Sequence, residues 1–453
     1  MQKSLMLKIG MMIGLTLSLL IPLGMIDGLI TERTYRQQEV VNDIAASSAG
    51  QQRLFGPILV VPYSEEWVEV VETRQDGVPK REERQHTEHQ VLYFLPDQLN
   101  VDGEIATETK RRGLFKVRSY VLDAVFQGSF TLPSGYDRPS PQHRGRIVMG
   151  APYVAATVAD MRGVLETTGL NWNGQNHPFE QGTGLTLGQT QAGMHAELAV
   201  LPVSDGHTPI RFDFGIKLRG LESLDFIPAG KQTRVGLSSP WPHPSFHGRF
   251  LPNPASQSIG PEGFHADWSV AALSSNVADS LERGQDIAFF DSFGLKLVDP
   301  INIYSLSDRA SKYGFLFVCL TFSAIFLFEI LKRYAIHPAQ YAMVGLALAI
   351  FFLLLLSLSE HIVFPLAYAI SAFACVGLIA YYLSAVLRSN RRGLSAGVLL
   401  SGLFGALYGL LQSEDNALML GSLLLFGLLA VAMVATRGVD WYRLGSPRAE
   451  ALG

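Results

Sequence analysis

Cysteine is almost absent from this 453-residue chain, with Cys319 and Cys375 its only two. Both fall inside apolar runs. The long polar region between them and the N-terminus has none, so it must fold on its own core without disulfides. Charge is sparse too, at 17% of residues, and the net charge of −4 gives no support to a nucleic-acid partner. Some catalytic motifs are missing as well. No His-Glu-x-x-His and no Ser-x-x-Lys with its companion motifs occurs, so zinc-hydrolase and serine–lysine chemistry lacks a sequence basis.

What is present is apolar length, concentrated at the two ends. About 20 apolar residues cross the hydrocarbon layer at about 1.5 Å per residue. Six stretches approach that length: Met11–Ile26, Gly314–Leu331, Tyr341–Leu358, Val363–Leu387, Leu394–Leu411 and Ala417–Ala435. The first could be a signal peptide, since Lys3 and Lys8 precede it. However, Asp27–Gly28–Leu29–Ile30 has no small-x-small cleavage pair, so an uncleaved anchor is expected.

Basic residues orient these spans. Lys3, Lys8, Lys332, Arg333, Arg388, Arg391, Arg392, Arg437, Arg443 and Arg448 all lie at alternate ends of the spans. The opposite loops, Ser359–Ile362 and Gln412–Asn416, carry no Lys or Arg. The positive-inside rule then places both termini in the cytoplasm and the large polar region in the periplasm of a diderm host. The expected division is an N-terminal anchor over 1–30, a periplasmic domain over 31–312, a five-helix bundle over 313–436 and a short cytoplasmic tail over 437–453.

The polar region reads as mostly β. Short alternating runs such as Ile58–Tyr63, Trp67–Glu72, Val91–Leu95, Ala124–Thr131, Ala196–Leu201, Arg211–Leu218 and Gln232–Leu237 are bounded by turn residues, including Asp76–Gly77. Helical periodicity is confined to Glu32–Arg53, which could continue span one, and to Val277–Arg283. A linker-like stretch, Leu132–Arg146, allows two β subdomains split near 132–146. The fold class expected is thus an α-helical membrane protein with six transmembrane helices, one N-terminal and five C-terminal, plus a large all-β, sandwich-like domain.

Several segments carry residue types that could support chemistry. Trp241–Gly248 holds His243 and His247 four residues apart, but Pro242 and Pro244 rule out the helix that would let two imidazoles share a metal. A rigid, aromatic-capped turn is the expectation there. His86 and His89 lie in a charged stretch that reads as a solvated hairpin rim, and the glycine run Gly182–Gly188 reads as β-turns. No cofactor and no metal site is expected. Ionisable residues of the spans sit near their ends: Glu329 close enough to Lys332 and Arg333 to pair, and Glu360–His361 and Glu414–Asp415 at hairpin tips. Such positions weaken an ion-pathway reading. Asp308, Arg309, Lys312, Glu360 and His361 are candidates for coupling the β domain to the bundle. In span five, Gly393, Gly397, Ser401, Gly405 and Gly409 recur every four residues, a small-xxx-small stripe expected to pack within the bundle, with homodimerisation as the alternative.

Taken together, Gly56–Pro57, Leu92–Pro96, Trp241–Phe246 with Phe250–Pro252, Leu306–Tyr313, Phe328–Glu329, His337–Tyr341, Leu358–His361 and Asp440–Tyr442 resemble the CreD family of bacterial inner-membrane proteins, in matching order from end to end. That resemblance implies a role in envelope integrity under the CreB–CreC two-component system, with colicin and β-lactam tolerance phenotypes. It supplies no catalytic or ligand residues. The function expected is a non-enzymatic inner-membrane protein that contacts the lipid bilayer and an unknown periplasmic or envelope protein. The alternatives are a sensor or regulator acting on a signalling partner, or a transporter of lipid or small molecules.

Overall fold

The structure, a computed structural model, describes residues 2–75, 78–188, 192–199, 205–299, 303–332, 336–413 and 416–437. The turn at Asp76–Gly77, the end of the Ala196–Leu201 run, Arg333, Glu414–Asp415 and the tail with Asp440–Trp441–Tyr442 lie outside the described residues. The chain divides into two compact units: Glu39–Pro300, and Met1–Gln38 together with Ile301–Gly453.

The chain opens with helices α1 (Gln2–Ser18) and α2 (Leu20–Ser47). The helical periodicity over Glu32–Arg53 therefore does continue span one, as far as Ser47. Four long strands follow: β1 (Gln52–Gln75), β2 (Val78–Phe94), β3 (Gln98–Arg112) and β4 (Phe115–Phe130). Shorter ones come next: β5 (Arg146–Met149), β6 (Tyr153–Val158), β7 (Val164–Thr167), β8 (Leu170–Trp172), β9 (Gln175–His177), β10 (Glu180–Gln181) and β11 (Gly193–Glu197). The set closes with β12 (Ile210–Leu221), β13 (Ser223–Ile227), β14 (Gln232–Ser239), β15 (Pro244–Gly248), β16 (Ser258–Gly260), β17 (Gly263–Ala271) and β18 (Phe293–Leu297), with helix α3 (Val277–Glu282) before the last.

These strands form two nine-stranded sheets. One runs β10-β11-β6-β1-β13-β18-β15, with β2 and β5 also on β1; the other runs β16-β17-β14-β3-β4-β12-β8-β9, with β7 on β12. Alternation dictates the faces. On β12, Ile210, Phe212, Phe214, Ile216 and Leu218 point inward while Arg211, Asp213 and Lys217 are exposed. On β1, Ile58, Leu59, Val60 and Val61 are all fully buried, so both faces of that strand are covered there. Both sheets feed one apolar core, which includes Ile105, Leu122, Phe126, Trp268 and Phe293.

The two-subdomain option is corrected by this topology. Strands on both sides of residues 132–146 share each sheet: β1 pairs with β13 and β6, and β4 pairs with β12. The stretch is a clamped loop, held by a carboxylate. Glu65 on β1, its side chain 1% exposed, accepts backbone hydrogen bonds from Gln142 (2.8 Å), His143 (2.7 Å) and Gly145 (2.9 Å). The His143 ring stacks on Trp67 at 4.1 Å, and Trp67 stacks on His86 from its own hairpin at 5.3 Å. The expected solvated rim is thus an aromatic stack on one side. The glycine run is mostly irregular backbone and not the expected β-turns, with Gly182, Gly184 and Gly188 at positive φ, and it lays Leu185 and Leu187 into the core.

The helical unit adds α4 (Ile303–Lys332), α5 (Pro338–Ser359), α6 (Phe364–Val386), α7 (Asn390–Gln412) and α8 (Ala417–Thr436). Among the described residues, five helices are long and apolar enough to cross a membrane, the N-terminal one and α4 to α7, and α8 contributes a shorter apolar stretch, Met419–Val434. This is a membrane protein with a β-rich domain between its apolar ends. Helix α4 starts at Ile303, ahead of the apolar run that announced it. Aromatic packing knits α4 to α7: Phe351 meets Tyr368 and Phe404 edge-on, Phe317 meets Phe404 at 4.7 Å, and the Tyr368 hydroxyl donates to the Phe404 carbonyl at 2.7 Å.

The glycine stripe divides along α7. A Cβ on Gly393 would fall 1.8 Å from Ser384 Oγ and 2.8 Å from the Ala380 carbonyl, and one on Gly397 would fall 3.0 Å from Ala380 Cβ. By contrast, a Cβ on Gly405 or Gly409 meets no described atom within 4 Å, and Ser401 is exposed. Packing of the whole stripe inside the bundle is therefore corrected to packing of its first two glycines on α6. The cause is helical pitch: at 3.6 residues per turn each four-residue step drifts about 40°, so Gly409 has swung to another face of α7.

Candidate functional site

The segment Trp241–Gly248, the densest signal in the polar region, is only half a turn. Trp241–His243 is irregular, whereas Pro244–Gly248 forms β15, which pairs antiparallel with β18 and ends its sheet. Proline at the first position of an edge strand removes no ladder bond. His243 and His247 are four residues apart on extended chain, roughly 13 Å, which removes any shared metal.

Trp241 is fastened from several sides. The Arg118 guanidinium lies over its ring at 3.8 Å, its indole N–H donates to the His243 carbonyl at 3.2 Å, and its backbone N–H donates to Ser239 Oγ at 3.2 Å. Arg118 is itself held by Asp299 at 2.5 Å and Thr109 at 2.7 Å. A cation stacked on an aromatic face and bound to a carboxylate orients that face firmly.

His247 has a partner that sequence spacing did not reveal. Its Nε2 lies 2.8 Å from Asp225 Oδ1, a residue on β13. The register explains how they meet. Arg53 of β1, Asp225 of β13, Gly294 of β18 and His247 of β15 are successive cross-strand partners. Gly294 has no side chain to obstruct the carboxylate, since a Cβ there would sit 2.9 Å from Asp225 Oδ1. Burial pushes the Asp225 carboxyl up from its ordinary value, and the charges of His247 and Arg53 pull against that. Among the described residues no serine, threonine or cysteine hydrogen-bonds His247, and no cluster of three His, Cys, Asp or Glu side chains could hold a metal.

This pair makes a specific prediction. His247→Ala should destabilise the β unit by about 1 kcal/mol at neutral pH, the imidazole being partly exposed and screened. Because a buried carboxylate without its partner is the cost, adding Asp225→Asn should recover stability, and so should acidification toward the raised Asp225 value. Thermal melts of the two variants check it; equal destabilisation of single and double variants would contradict it.

In the helical unit the coupling candidates sort into local contacts. Asp308 and Lys312 pair with each other at 2.6 Å, Arg309 donates to Ser305 Oγ at 3.4 Å, and His361 Nδ1 lies 3.1 Å from the Ser357 carbonyl. Glu360 is brought into a cluster absent from the sequence reading. Its side chain, 7% exposed, lies 3.4 Å from Arg33 Nε of α2 and accepts from the Tyr304 hydroxyl at 3.3 Å. Glu329 is likewise buried, accepting from the Tyr341 hydroxyl at 2.8 Å and the Ile336 backbone N–H at 3.2 Å. All of these partners lie outside the helix that carries the carboxylate, so i,i+4 reasoning could not supply them.

With the two units laid out, comparison with known proteins decides the family. A family model described as Inner membrane protein CreD matches residues 4–442. The chain belongs to the CreD family. It is 33% identical over 449 residues to Inner membrane protein CreD of Escherichia coli (strain K12), spanning 98% of this chain and 95% of that protein. A CreD-type chain with these apolar helices is a multi-pass protein of the inner membrane. The CreD match takes in both units, and with them β15, the Arg33–Glu360–Tyr304 cluster and the Asp225–His247 pair.

Proposed function

We propose that this CreD-family protein is a non-enzymatic inner-membrane protein that supports cell-envelope integrity, with its β unit in the periplasm holding an envelope protein. The orientation rests on loop charge, which puts both termini in the cytoplasm. The observation that carries the binding role is β15, the terminal strand of its sheet, beside the fastened Trp241. An edge strand offers backbone donors and acceptors to an added extended segment, and a pinned aromatic beside it gives apolar contact at little entropic cost. The Asp225–His247 pair sets the register of that edge from behind.

Photoreactive residues placed at His243 and Ser245 in living cells test this reading. Capture of one periplasmic or membrane-bound envelope protein at both positions, lost on Trp241→Ala, is expected. Capture of a histidine kinase would favour a signalling role instead, and no adduct at either position would sink the proposal.

A further inference from the structure

The helical unit contains a cavity of about 250 Å³ between α4, α6 and α7. Leu383 of α6 and Leu387 just beyond its end form one wall, and Ser395, Ala396, Leu399 and Leu400 of α7 form another. The wall leucines and Leu400 are buried, whereas Ser395 and Leu399 are exposed, so the cavity opens sideways from the bundle. In a helix that crosses a membrane, sideways is toward lipid.

Arginines adjoin the lining residues along the chain. Arg388 directly follows the wall residue Leu387. On α7, Arg391, Ser395 and Leu399 form one i, i+4, i+8 row, and Arg392, Ala396 and Leu400 form the next. Both rows run from an arginine into the cavity lining. Arg392 turns back along this path, its guanidinium donating to the Leu387 carbonyl at 3.5 Å. Arg388 and Arg391 are exposed and make no ion pair among the described residues, and residues 387–393 contain no acid to neutralise them.

We infer that this cavity is a binding site for an anionic phospholipid, the acyl chain lying in the groove and the phosphate on Arg388 and Arg391. The match runs along the length of one lipid. The arginines stand where two apolar helices end, at headgroup depth. Ser395 lies about 6 Å further along the axis, at the level of the polar ester groups, and the leucines line the depth below. A zwitterionic lipid fits the groove equally, but its ammonium group cancels the charge of its phosphate and repels the arginines. The inference is independent of the protein-partner reading, since it concerns the helical unit alone.

Native mass spectrometry of the full chain in detergent, with palmitoyl-oleoyl phosphatidylglycerol or the matching phosphatidylcholine added, tests it. The wild type should retain phosphatidylglycerol roughly tenfold better, at roughly fivefold for each of the two arginines with some overlap. Arg388→Gln with Arg391→Gln, both exposed changes, should abolish that preference while leaving the melting temperature unchanged. Ala396→Phe should reduce retention of both lipids. Soluble glycerol phosphate should not compete, because it lacks the chain. Equal retention of the two lipids by the wild type, an unchanged preference in the arginine variant, or displacement by glycerol phosphate would overturn the inference.

Discussion

Replacing Gly393 by leucine should collapse the packing of α6 on α7, whereas the same change at Gly405 should leave the monomer's stability where it was. The contrast follows from local space. At Gly393 even a single methyl group would overlap Ser384 Oγ, which donates back to the Ala380 carbonyl at 2.8 Å, and would press on that backbone carbonyl itself. A serine rotamer can turn away; a helix backbone must move bodily. Small residues at such crossings allow the close approach that replaces the hydrophobic effect inside a bilayer. Overpacking on this scale costs about 3 kcal/mol, and the leucine has further atoms to place. At Gly405 a Cβ meets no described atom, so the change should stay within about 0.5 kcal/mol. Thermal unfolding in detergent and proteolysis of the α6–α7 hairpin read both variants. Equal losses at the two positions would mean that the upper half of the stripe packs too.

The second large effect is expected at Glu65. Its carboxylate holds three amides of a loop that composition alone would make a free linker. Glu65→Leu removes the acceptor and leaves three donors turned toward an apolar side chain, which is worse than never having formed the bonds. Gly145 adds a steric reason for the loop's position: a Cβ there would sit 2.6 Å from the Glu66 carbonyl, so only glycine lies this close to β1. Trypsin should then cut after Arg144 and Arg146 at least roughly tenfold faster under native conditions. Glu65→Gln, which keeps one accepting oxygen, should fall between. Burial alone would raise the Glu65 value, but the three amides and His143 overcome it and hold it below 4.5. A depressed carboxyl stabilises the fold fully above the unfolded value, so loop protection should be constant above about pH 4.5 and fade as acid titrates the folded carboxyl. Protease susceptibility of the loop that does not change in Glu65→Leu would contradict the clamp.

How much of this was legible from residues alone depends on the range of the interaction. The six apolar stretches and the strands of β12 type were readable, because length and period are local properties. Partners were not. Arg53, Asp225, Gly294 and His247 are brought together by one parallel and two antiparallel pairings between distant strands. No spacing rule encodes that. Leu132–Arg146 misled because proline, serine and arginine mark a solvated loop whether or not a carboxylate ties it down. The glycine stripe misled for a geometric reason: a four-residue repeat is not a helical period, so regular spacing carried Gly405 and Gly409 off the packing face. Glu360 was recognised as notable, but Arg33 and Tyr304 belong to other helices and only the fold assembles them.

The arrangement proposed for the chain across the inner membrane puts the β unit in the periplasm and the α6–α7 turn in the cytoplasm. Single cysteines at Leu273, wholly exposed in the β unit, and at exposed Asn390 test it directly. Cys319 and Cys375 lie within membrane helices, and replacing both by serine removes the background. With a membrane-impermeant maleimide on cells whose outer membrane is permeabilised, Leu273→Cys should label and Asn390→Cys should label only after lysis. Labelling of Asn390→Cys in intact cells, with Leu273→Cys protected until lysis, would contradict the account.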